Sequence, residues 1–400
     1  MEIKDYLKRD LEKIIEPYLF IGKVIIIYGA RRVGKTTLCE QLLLKYSEKD
    51  EAFKKGAYSF EDRDSPYRYI NCDYIVNRQA LEVQDKTLLK AFIGNAKFIV
   101  IDEAQRVENI GLTLKIIVDA FPEIQIIATG SSSFDLSNKI NEPLTGRAFQ
   151  FMLYPLSLQE IYSKKTLQQI DIELETYLRY GLYPYIYNKG EGLVRKELLN
   201  IVNNYLYKDI LEFDQIKNSK MLLNLLKLLA LQVGNQVSYN ELATSLGINV
   251  LTVRKYIDLL EKCFVIFTLH SYSKNPRKEI SKSVKIYFYD TGIRNALIES
   301  FNPMDIRTDI GALWENFCIA ERLKYNSSNE RYVNSYFWRT YTQKEIDYIE
   351  EHSGTLEGYE FKWRNMDKEY KPPKTFLESY PEASVKKIDK NNYQNFLINI

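Results

Sequence analysis

The sequence predicts a multi-domain α/β protein whose N-terminal part is a mostly parallel sheet covered by helices. Two observations lead to this prediction. Short apolar runs alternate with helix-like stretches up to residue 153, which is typical of parallel strands joined by crossover helices. The chain also has 400 residues, and a chain of this length usually divides into several domains, each with its own hydrophobic core. The predicted strands of this part are residues 24–28, 69–72, 98–101, 124–128 and 149–153.

The composition is that of a globular protein, with 45% hydrophobic and 27% charged residues. Lys and Arg total 55 against 53 acidic residues, and the net charge of +2 argues against a general polyanion-binding protein while leaving a local basic face open. Four scattered cysteines and two histidines give no spacing for a zinc site, a disulfide framework or a His-based catalytic centre. No apolar run approaches the about 20 residues that cross a bilayer, and the N-terminus lacks the apolar core of a signal peptide. We therefore expect a cytoplasmic protein without membrane contact.

A phosphate-binding loop is predicted directly after the first strand. Residues 29–36 read Gly-Ala-Arg-Arg-Val-Gly-Lys-Thr and fit the pattern G-x-x-x-x-G-K-[ST] without a mismatch, between a strand and a helix. In such a loop the backbone amides bind the phosphates, Lys35 reaches the β- and γ-phosphates, and Thr36 ligates Mg²⁺. A chance glycine-rich turn is the alternative. The predicted nucleotide-binding residues are Gly29, Ala30, Arg31, Arg32, Val33, Gly34, Lys35, Thr36, Thr37 and Ser131.

Two acidic residues follow the third predicted strand. Residues 98–101 are apolar, so Asp102 and Glu103 emerge at the carboxyl end of a buried strand, where ligands bind in open α/β sheets. We predict that Asp102 binds Mg²⁺ together with Thr36 and that Glu103 activates the attacking water. An ordinary solvated strand end is the alternative, and the spacing after the phosphate loop favours the catalytic interpretation.

Two further segments supply candidate residues for the same site. The strand 124–128 is followed by Thr129-Gly-Ser131, whose hydroxyls are candidates to contact the γ-phosphate, with a simple Ser/Thr turn as the alternative. Arg147 is a candidate to stabilise charge in the transition state, and a surface ion pair is the alternative for this residue. The predicted catalytic residues are therefore Lys35, Glu103 and Arg147.

These motifs, taken in order, resemble the prokaryotic AAA-type ATPases that carry a C-terminal domain of unknown function. The resemblance rests on the phosphate loop, the Asp-Glu pair, the segments 128–133 and 144–147, and Tyr-Pro-Leu-Ser-Leu-Gln-Glu at 154–160. It continues through residues 177–184 and 207–210 and so covers nearly the whole chain. It implies an AAA-like sheet, a winged helix and a nuclease-like C-terminal fold, without implying a settled biological role.

The segment 219–289 predicts a winged helix. Helices at 239–246 and 249–262 precede two β-rich runs that are joined by the charged loop 274–282. The basic residues of this loop are Lys274, Arg277, Lys278 and Lys282. Such a loop would suit DNA phosphates. Because the second helix has few basic residues for reading bases, packing against a neighbouring domain is the alternative to DNA binding.

The C-terminal part carries a set of carboxylates. Asp347 lies in a predicted strand at 345–350, and strand alternation points Glu360 and Lys362 of the next strand to the same face. Glu315, on the preceding helix, adds a third carboxylate. This order of Glu, Asp and Glu-x-Lys resembles the PD-(D/E)xK restriction-endonuclease-like nucleases, in which carboxylates bind Mg²⁺ and the lysine orients or activates water. A hairpin with solvated charges and an inactive relic that only binds DNA or protein are the alternatives.

The predicted fold is thus an α/β P-loop NTPase of AAA-like type with three further parts. The domains are a P-loop ATPase domain (1–153), a helical extension (154–217), a winged-helix domain (218–290) and a restriction-endonuclease-like α/β domain (291–400).

Three function hypotheses follow from these motifs. The first is an Mg²⁺-dependent ATPase that uses hydrolysis as a conformational switch or motor. The second is an ATP-gated nuclease directed at nucleic acid, with Glu315, Asp347, Glu360 and Lys362 as its site. The third is a signalling protein that binds ATP tightly and turns it over slowly. ATP and Mg²⁺ are the predicted cofactors, and DNA and a second copy of the chain are the candidate partners.

Overall fold

The structure of the chain is a computed structural model that describes residues 6–130, 143–206, 219–273, 284–364 and 370–400. The chain divides into two compact units. The N-terminal unit comprises residues 8–154, and the C-terminal unit comprises residues 1–7 and 155–400. Within the described ranges, no helix has both the length and the apolar character required to cross a membrane.

The described part of the N-terminal unit is built on a five-stranded parallel sheet. Its strands are β1 (Val24–Tyr28), β2 (Tyr67–Asn71), β3 (Phe98–Asp102), β4 (Gln125–Gly130) and β5 (Ala148–Met152). The strands pair in the order β2-β3-β4-β1-β5, and every pairing is parallel. β1, β3 and β4 are buried along their whole length, as expected for central strands covered on both faces. The predicted α/β fold is confirmed, and each strand lies within two residues of its predicted position.

Helices precede and connect these strands. They are α1 (Asp10–Ile15), α2 (Lys35–Ser47), α3 (Glu51–Lys54), α4 (Ile75–Leu81), α5 (Lys86–Ile93) and α6 (Ile110–Ala120), with 3₁₀ turns at Glu16–Tyr18 and Ala104–Arg106. The start of α5 is fixed by the Asp85 side chain, which accepts hydrogen bonds from the Thr87 and Leu88 amides in the first turn of the helix. Leu89 and Ile93, four residues apart, then bury one face of α5. Parallel pairing places the carboxyl ends of all five strands at one edge of the sheet.

The C-terminal unit contains a seven-stranded mixed sheet in its described residues. Its strands are β6 (Gln236–Val237), β7 (Ile266–Ser271), β8 (Val284–Phe288), β9 (Asn334–Arg339), β10 (Glu345–His352), β11 (Thr355–Phe361) and β12 (Ser384–Ile388). The order is β12-β11-β10-β9-β7-β8-β6. The pairs β7–β9 and β11–β12 are parallel, and the others are antiparallel.

Helices lie before, between and after these strands along the chain. They are α7 (Leu158–Tyr162), α8 (Leu167–Tyr180), α9 (Glu191–Asn200), α10 (Ser219–Leu231), α11 (Tyr239–Leu246), α12 (Val250–Lys262), α13 (Thr291–Leu297), α14 (Ile310–Ser328), α15 (Lys374–Ser379) and α16 (Tyr393–Leu397). A π-helix spans Ile201–Leu206, and a 3₁₀ turn spans Met304–Ile306. α14 is the long central helix, and Trp314 near its start is fully buried against the rings of Trp363 and Tyr393.

The segment predicted as a winged helix joins a larger sheet. The Ser238 hydroxyl accepts the Glu241 amide at 3.3 Å to start α11, and Gly247 ends α11 with a φ of 65°. α12 follows, and the hairpin β7–β8 then continues through β9 into the C-terminal strands. The predicted basic loop lies outside the described residues. That the winged helix is a separate domain stays a prediction. The other predicted domain boundaries inside residues 154–400 also stay predictions.

Candidate functional site

The phosphate loop, residues 29–36, joins the end of β1 to the start of α2. Gly29 is closely packed, because a Cβ at this position would lie 2.3 Å from the carbonyl oxygen of Leu153. Gly34 precedes α2 with a φ of 95°, a left-handed conformation that favours glycine. The backbone path of the loop therefore requires both glycines of the sequence pattern.

Lys35 and Thr36 point to different partners at the start of α2. The Lys35 side chain is buried, and its Nζ donates hydrogen bonds to the carbonyl oxygens of Gly29 at 2.8 Å and Ala30 at 3.0 Å. The ammonium group thus lies against the backbone of the loop itself. The Thr36 hydroxyl instead donates to Asp102 Oδ2 at 2.8 Å.

The buried Asp102 carboxylate joins three elements of the N-terminal unit. It accepts the Thr36 hydroxyl from α2, the Tyr69 hydroxyl from β2 at 2.5 Å, and the Thr129 hydroxyl from β4. β2 and β4 flank β3 in the sheet, so both side chains reach the carboxylate from its neighbours. Tyr69 could not be predicted from the sequence, because its contact with Asp102 depends on β2 lying next to β3 in the sheet.

Glu103 follows Asp102 in a left-handed conformation, with a φ of 54°. Its amide donates to Thr129 Oγ1 at 3.2 Å, and its carboxylate accepts a hydrogen bond from Gln105 Nε2 at 2.5 Å. Burial raises the pKa of the Glu103 carboxyl group, and the positive charge of Lys35 partly opposes this. The group is therefore a stronger base than an exposed glutamate.

The structure brings Lys35, Thr36, Asp102 and Glu103 together, as the sequence predicts. Arg31 also lies near, because its charge lowers the pKa of Glu103. Ser131 lies outside the described residues. The catalytic and binding roles of all these residues stay predictions.

Arg147 lies away from this chain's own phosphate loop, and its predicted catalytic role stays a prediction. β5 runs parallel to β1, and the carbonyl oxygen of Arg147 accepts the Val24 amide at 2.9 Å. Arg147 therefore lies at the start of β1, whereas the loop follows the end of that strand, five residues of about 3.3 Å each away. Its Nε donates to Asp119 Oδ1 at 2.7 Å on the surface, which is the ion-pair alternative.

The four residues of the predicted nuclease site lie near one another in the C-terminal unit. Only 13% of the Glu315 side chain on α14 is exposed, and burial, followed by the Asp347 charge, raises its pKa to about 8. Asp347 Oδ2 on β10 accepts the Phe361 amide at 2.9 Å. Glu360 has a pKa raised by burial and then by Asp347, and it accepts a hydrogen bond from Lys362 Nζ at 2.7 Å. We call Glu315, Asp347, Glu360 and Lys362 the carboxylate cluster.

A β-bulge in β10 contains Asp347. Ile346 pairs with Trp338 and Ile349 with Tyr336, so β10 has one residue more than β9 between these pairs. Bulges of this kind redirect side chains and are common beside functional sites. The irregularity therefore contributes to the orientation of Asp347 within the carboxylate cluster.

Strand β8 adds two residues that sequence reasoning missed. Lys285 is buried, donates to Glu315 Oε1 at 3.0 Å and forms an ion pair with Glu345. The Tyr287 hydroxyl, two residues further along β8, donates to the same Glu315 oxygen at 2.5 Å. The only sequence signal is a lysine inside the apolar run 284–288. Lys285 thus compensates the negative charge of the carboxylate cluster from inside the protein.

The oxygen ligands at the two sites differ in arrangement. Among the residues that the structure describes, no group of three or more Asp, Glu, His or Cys side chains is placed to hold a metal ion. In the carboxylate cluster, the ammonium groups of Lys285 and Lys362 contact the carboxylates. At the phosphate loop, the hydroxyl of Thr36 and the carboxylate of Asp102 converge, and hard oxygen ligands of this kind suit Mg²⁺.

The raised pKa of Glu315 predicts a pH-dependent stability. The folded-state pKa is about 8 against an ordinary 4.5, so between these values the folded protein holds a proton that the unfolded chain has released. The contribution of Glu315 to the free energy of unfolding is therefore present at low pH and is lost as pH rises towards 8. Glu315→Gln keeps the shape and cannot ionise. From pH 5 to pH 9 we expect wild type to lose on the order of 2–4 kcal/mol of unfolding free energy relative to this variant.

This prediction is checked by urea unfolding of both proteins at the two pH values. Glu351→Gln on β10 serves as the control, and it should follow the wild-type pH dependence. Parallel wild-type and Glu315→Gln curves would show that Glu315 does not titrate in this range.

Three family models match successive parts of the chain. Residues 22–162 match the model described as "AAA domain". Residues 171–304 match "Domain of unknown function (DUF8612)", and residues 310–396 match "Domain of unknown function (DUF4143)". The AAA match includes the phosphate loop, Asp102 and Glu103.

Relatives of the chain occur in archaea and bacteria. It is 28% identical over 324 residues to "Uncharacterized protein MJ1637" of Methanocaldococcus jannaschii, covering 73% of this chain and 66% of that protein. It is 26% identical over 358 residues to "Uncharacterized protein Rv2008c" of Mycobacterium tuberculosis, covering 89% of this chain and 74% of that protein. The chain thus spans about two thirds to three quarters of the length of these relatives.

Among solved structures, AMPPCP-bound DnaA from Aquifex aeolicus matches with 20% identity and a TM-score of 0.26, covering 63% of this chain and 86% of that chain. The family matches agree with the parallel sheet and the loop geometry described above. Residues 22–162 therefore form an AAA-type P-loop region, and residues 310–396 match a C-terminal domain of unknown function.

Proposed function

We propose that this chain binds ATP with Mg²⁺ at the phosphate loop and hydrolyses it. The observation that supports this most directly is the 2.8 Å hydrogen bond from Thr36 Oγ1 to Asp102 Oδ2. It joins the loop that would hold the phosphates to the strand end that would hold the metal, across 66 residues of sequence. A pairing of this kind is what a magnesium-nucleotide site needs and a chance glycine-rich turn does not provide.

Each residue of the site has a part in this proposal. Thr36 and Asp102 would hold Mg²⁺, which supplies positive charge beside the phosphate oxygens. Lys35 would exchange its hydrogen bonds to the loop carbonyls for bonds to the β- and γ-phosphate oxygens. The backbone amides of residues 29–36 and the start of α2 would bind the remaining phosphate oxygens.

Glu103 is proposed to accept the proton of the attacking water. The water oxygen forms a bond to the terminal phosphorus, the bond from that phosphorus to the bridging oxygen breaks, and the proton passes to the Glu103 carboxylate. Because burial raises the pKa of this carboxyl group, it holds that proton more strongly than an exposed glutamate would. The hydrogen bond from Gln105 fixes the carboxylate's direction.

The proposal is tested by phosphate release from ATP by the full chain, with Mg²⁺ or with EDTA. Each condition includes double-stranded DNA, single-stranded DNA or no DNA. Release that requires Mg²⁺ supports the proposal, and stimulation by one form of DNA would support DNA as a partner. Absence of both ATP binding and release in every arm would contradict it. Nucleotide that survives dialysis with negligible release would support binding and reject hydrolysis, in favour of the signalling hypothesis.

An Mg²⁺-dependent nuclease at the carboxylate cluster is the second candidate function. The specific observation in its favour is that Asp347 raises the pKa of both Glu315 and Glu360, so Asp347 lies within electrostatic reach of both other carboxyl groups. Asp347 and Glu360 would hold the metal, and Lys362 would orient the attacking water. Lys285 would hold Glu315 in place.

Under this second candidate, Asp347→Asn is expected to remove cleavage, because the amide keeps the size of the side chain and loses the anionic oxygen that a metal needs. Wild type, Asp347→Asn and the control Glu351→Gln are incubated with supercoiled, linear and single-stranded DNA in Mg²⁺ or Mn²⁺. We expect cleavage by wild type and the control, and a loss of at least about a hundredfold in Asp347→Asn. No cleavage by wild type on any substrate, or equal cleavage by Asp347→Asn, would reject the nuclease.

A further inference from the structure

A buried arginine in the N-terminal unit contacts the phosphate loop from outside the sequence motif. Arg9 immediately precedes α1, and only 4% of the residue is exposed. Its Nη1 donates to the Val33 carbonyl oxygen at 2.7 Å, and its Nη2 donates to the Tyr154 carbonyl oxygen at 2.6 Å. Val33 lies in the phosphate loop, whereas Tyr154 follows β5. One guanidinium group therefore bridges two segments that are far apart in sequence.

The backbone of Arg9 is itself fixed by the start of α1. Its amide donates to Glu12 Oε1 at 3.1 Å, and its carbonyl oxygen accepts the Glu12 amide at 3.2 Å. This reciprocal pair is a capping arrangement, and the Glu12 side chain is buried with it. The guanidinium thus projects from an anchored backbone and not from a loose N-terminal segment.

The residues after β5 contact the phosphate loop a second time. The Leu153 amide donates to the Tyr28 carbonyl oxygen at 2.7 Å, and the Leu153 carbonyl oxygen lies where a Cβ on Gly29 would clash. The beginning of the loop is therefore in contact with Leu153, and its middle is bound through Arg9 to Tyr154. The loop is therefore held against residues 153–154 at two points, by the packing of Gly29 on Leu153 and by the Arg9 bridge from Val33 to Tyr154.

We propose that Arg9 is a positioning residue of the phosphate loop. Through its two hydrogen bonds, a change in the conformation of the loop is transmitted to the backbone of residues 153–154. The chain passes between its two units at residues 7–8 and 154–155, so Arg9 and Tyr154 lie beside these two passages. A ligand that moves the Val33 carbonyl changes a hydrogen bond of the guanidinium that also holds Tyr154. This inference rests on the proposed function, since it takes the moving ligand to be a nucleotide phosphate.

Arginine suits this bridge because its planar guanidinium has rigidly spaced donors that can bind two carbonyl oxygens at once. A lysine keeps the charge but presents a single flexible ammonium group. Arg9→Lys should therefore retain part of the bridge, and Arg9→Met should lose it. Arg68 offers a matched control in the same unit, because it is also buried and its guanidinium donates to the Phe92 carbonyl oxygen.

The first test needs no nucleotide. Amide hydrogen exchange is measured for residues 29–36 and 150–156 in the full-length wild type, Arg9→Met, Arg9→Lys and Arg68→Met. We expect exchange at least about tenfold faster in both segments of Arg9→Met than in Arg68→Met, with Arg9→Lys between them. If Arg9→Met folds poorly, Arg9→Lys alone is compared with the control. Equal exchange in the Arg9 variants and in Arg68→Met would overturn the proposal.

The second test adds ATP and Mg²⁺ and measures affinity by calorimetry. Arg9→Met should bind about tenfold more weakly than wild type, while Arg68→Met should bind as wild type does. ATP should also slow exchange at residues 150–156 in wild type and not in Arg9→Met. An equal loss of affinity in both variants would indicate a general stability effect and would reject the link. Failure of wild type to bind ATP would contradict the proposed function instead, and the nucleotide-free exchange would still decide whether the bridge exists.

Discussion

Replacement of Lys35 by alanine is expected to abolish ATP binding and, with it, turnover. The buried ammonium group is the cation that the phosphate loop carries at the start of α2, and it already lies against the loop carbonyls of Gly29 and Ala30. Its removal takes away charge-assisted hydrogen bonds to the β- and γ-phosphates. Two such bonds correspond to a loss of affinity of at least about a hundredfold. Calorimetric titration with ATP and Mg²⁺ measures this loss directly.

A control lysine is available on the same helix. Lys45, in the last turn of α2, is 40% exposed and pairs with Glu16, so Lys45→Ala should bind ATP like wild type. Thermal unfolding of both variants separates loss of binding from loss of folding. Wild-type affinity in a folded Lys35→Ala protein would reject the phosphate loop as the nucleotide site.

Glu103→Gln is expected to stop hydrolysis while leaving ATP bound. Glutamine keeps the size of the side chain, but its amide cannot take up the proton of the attacking water. The rate of phosphate release should fall by about 10²–10⁴-fold, the usual contribution of a general base, with little change in affinity. Because burial raises the pKa of Glu103, wild-type activity should also decline on acidification at a higher pH than an ordinary glutamate would give.

Single-turnover phosphate release, measured from pH 5 to pH 9, tests both parts of this prediction. Glu108→Gln is the control, since Glu108 is an exposed acid five residues further along the chain. It should hydrolyse ATP like wild type at every pH. Release by Glu103→Gln at the wild-type rate would show that another group accepts the proton.

The candidate phosphate site could largely be predicted from sequence because its main residues belong to local motifs. The loop and Lys35 follow one strand, and Asp102 and Glu103 follow another, so each motif carries its own structural context. Tyr69 and Thr129 reach Asp102 from the strands on either side of β3, and that adjacency depends on the order of strands in the sheet.

The position of Arg147 depends on the direction of its strand, which motif order alone does not give. The residue precedes its strand, and in a parallel sheet the starts of strands lie at the edge opposite to their carboxyl ends. Its position relative to the phosphate loop therefore follows from the direction of β5 and not from its place in the series of motifs.

All four residues of the carboxylate cluster could be predicted from the sequence, whereas features around them could not. Strand alternation and spacing identify Glu315, Asp347, Glu360 and Lys362, but the bulge in β10 has no clear signal in the residues around Asp347. Lys285 reaches the cluster through a long-range pairing, because β8 joins the sheet by way of β7 and β9. Pairings between strands distant in sequence leave no local periodicity to read.

The seven-stranded sheet restricts how the C-terminal unit can be divided or exchanged. A fragment of residues 291–400 would retain every member of the carboxylate cluster and lose Lys285, its internal counter-ion. It would also leave β9 as an uncovered edge, and such edges promote association between chains. A fragment that is to be expressed alone or joined to another protein would therefore have to begin at or before β6, at residue 236. It then contains β8, which carries Lys285, together with the carboxylates that Lys285 neutralises.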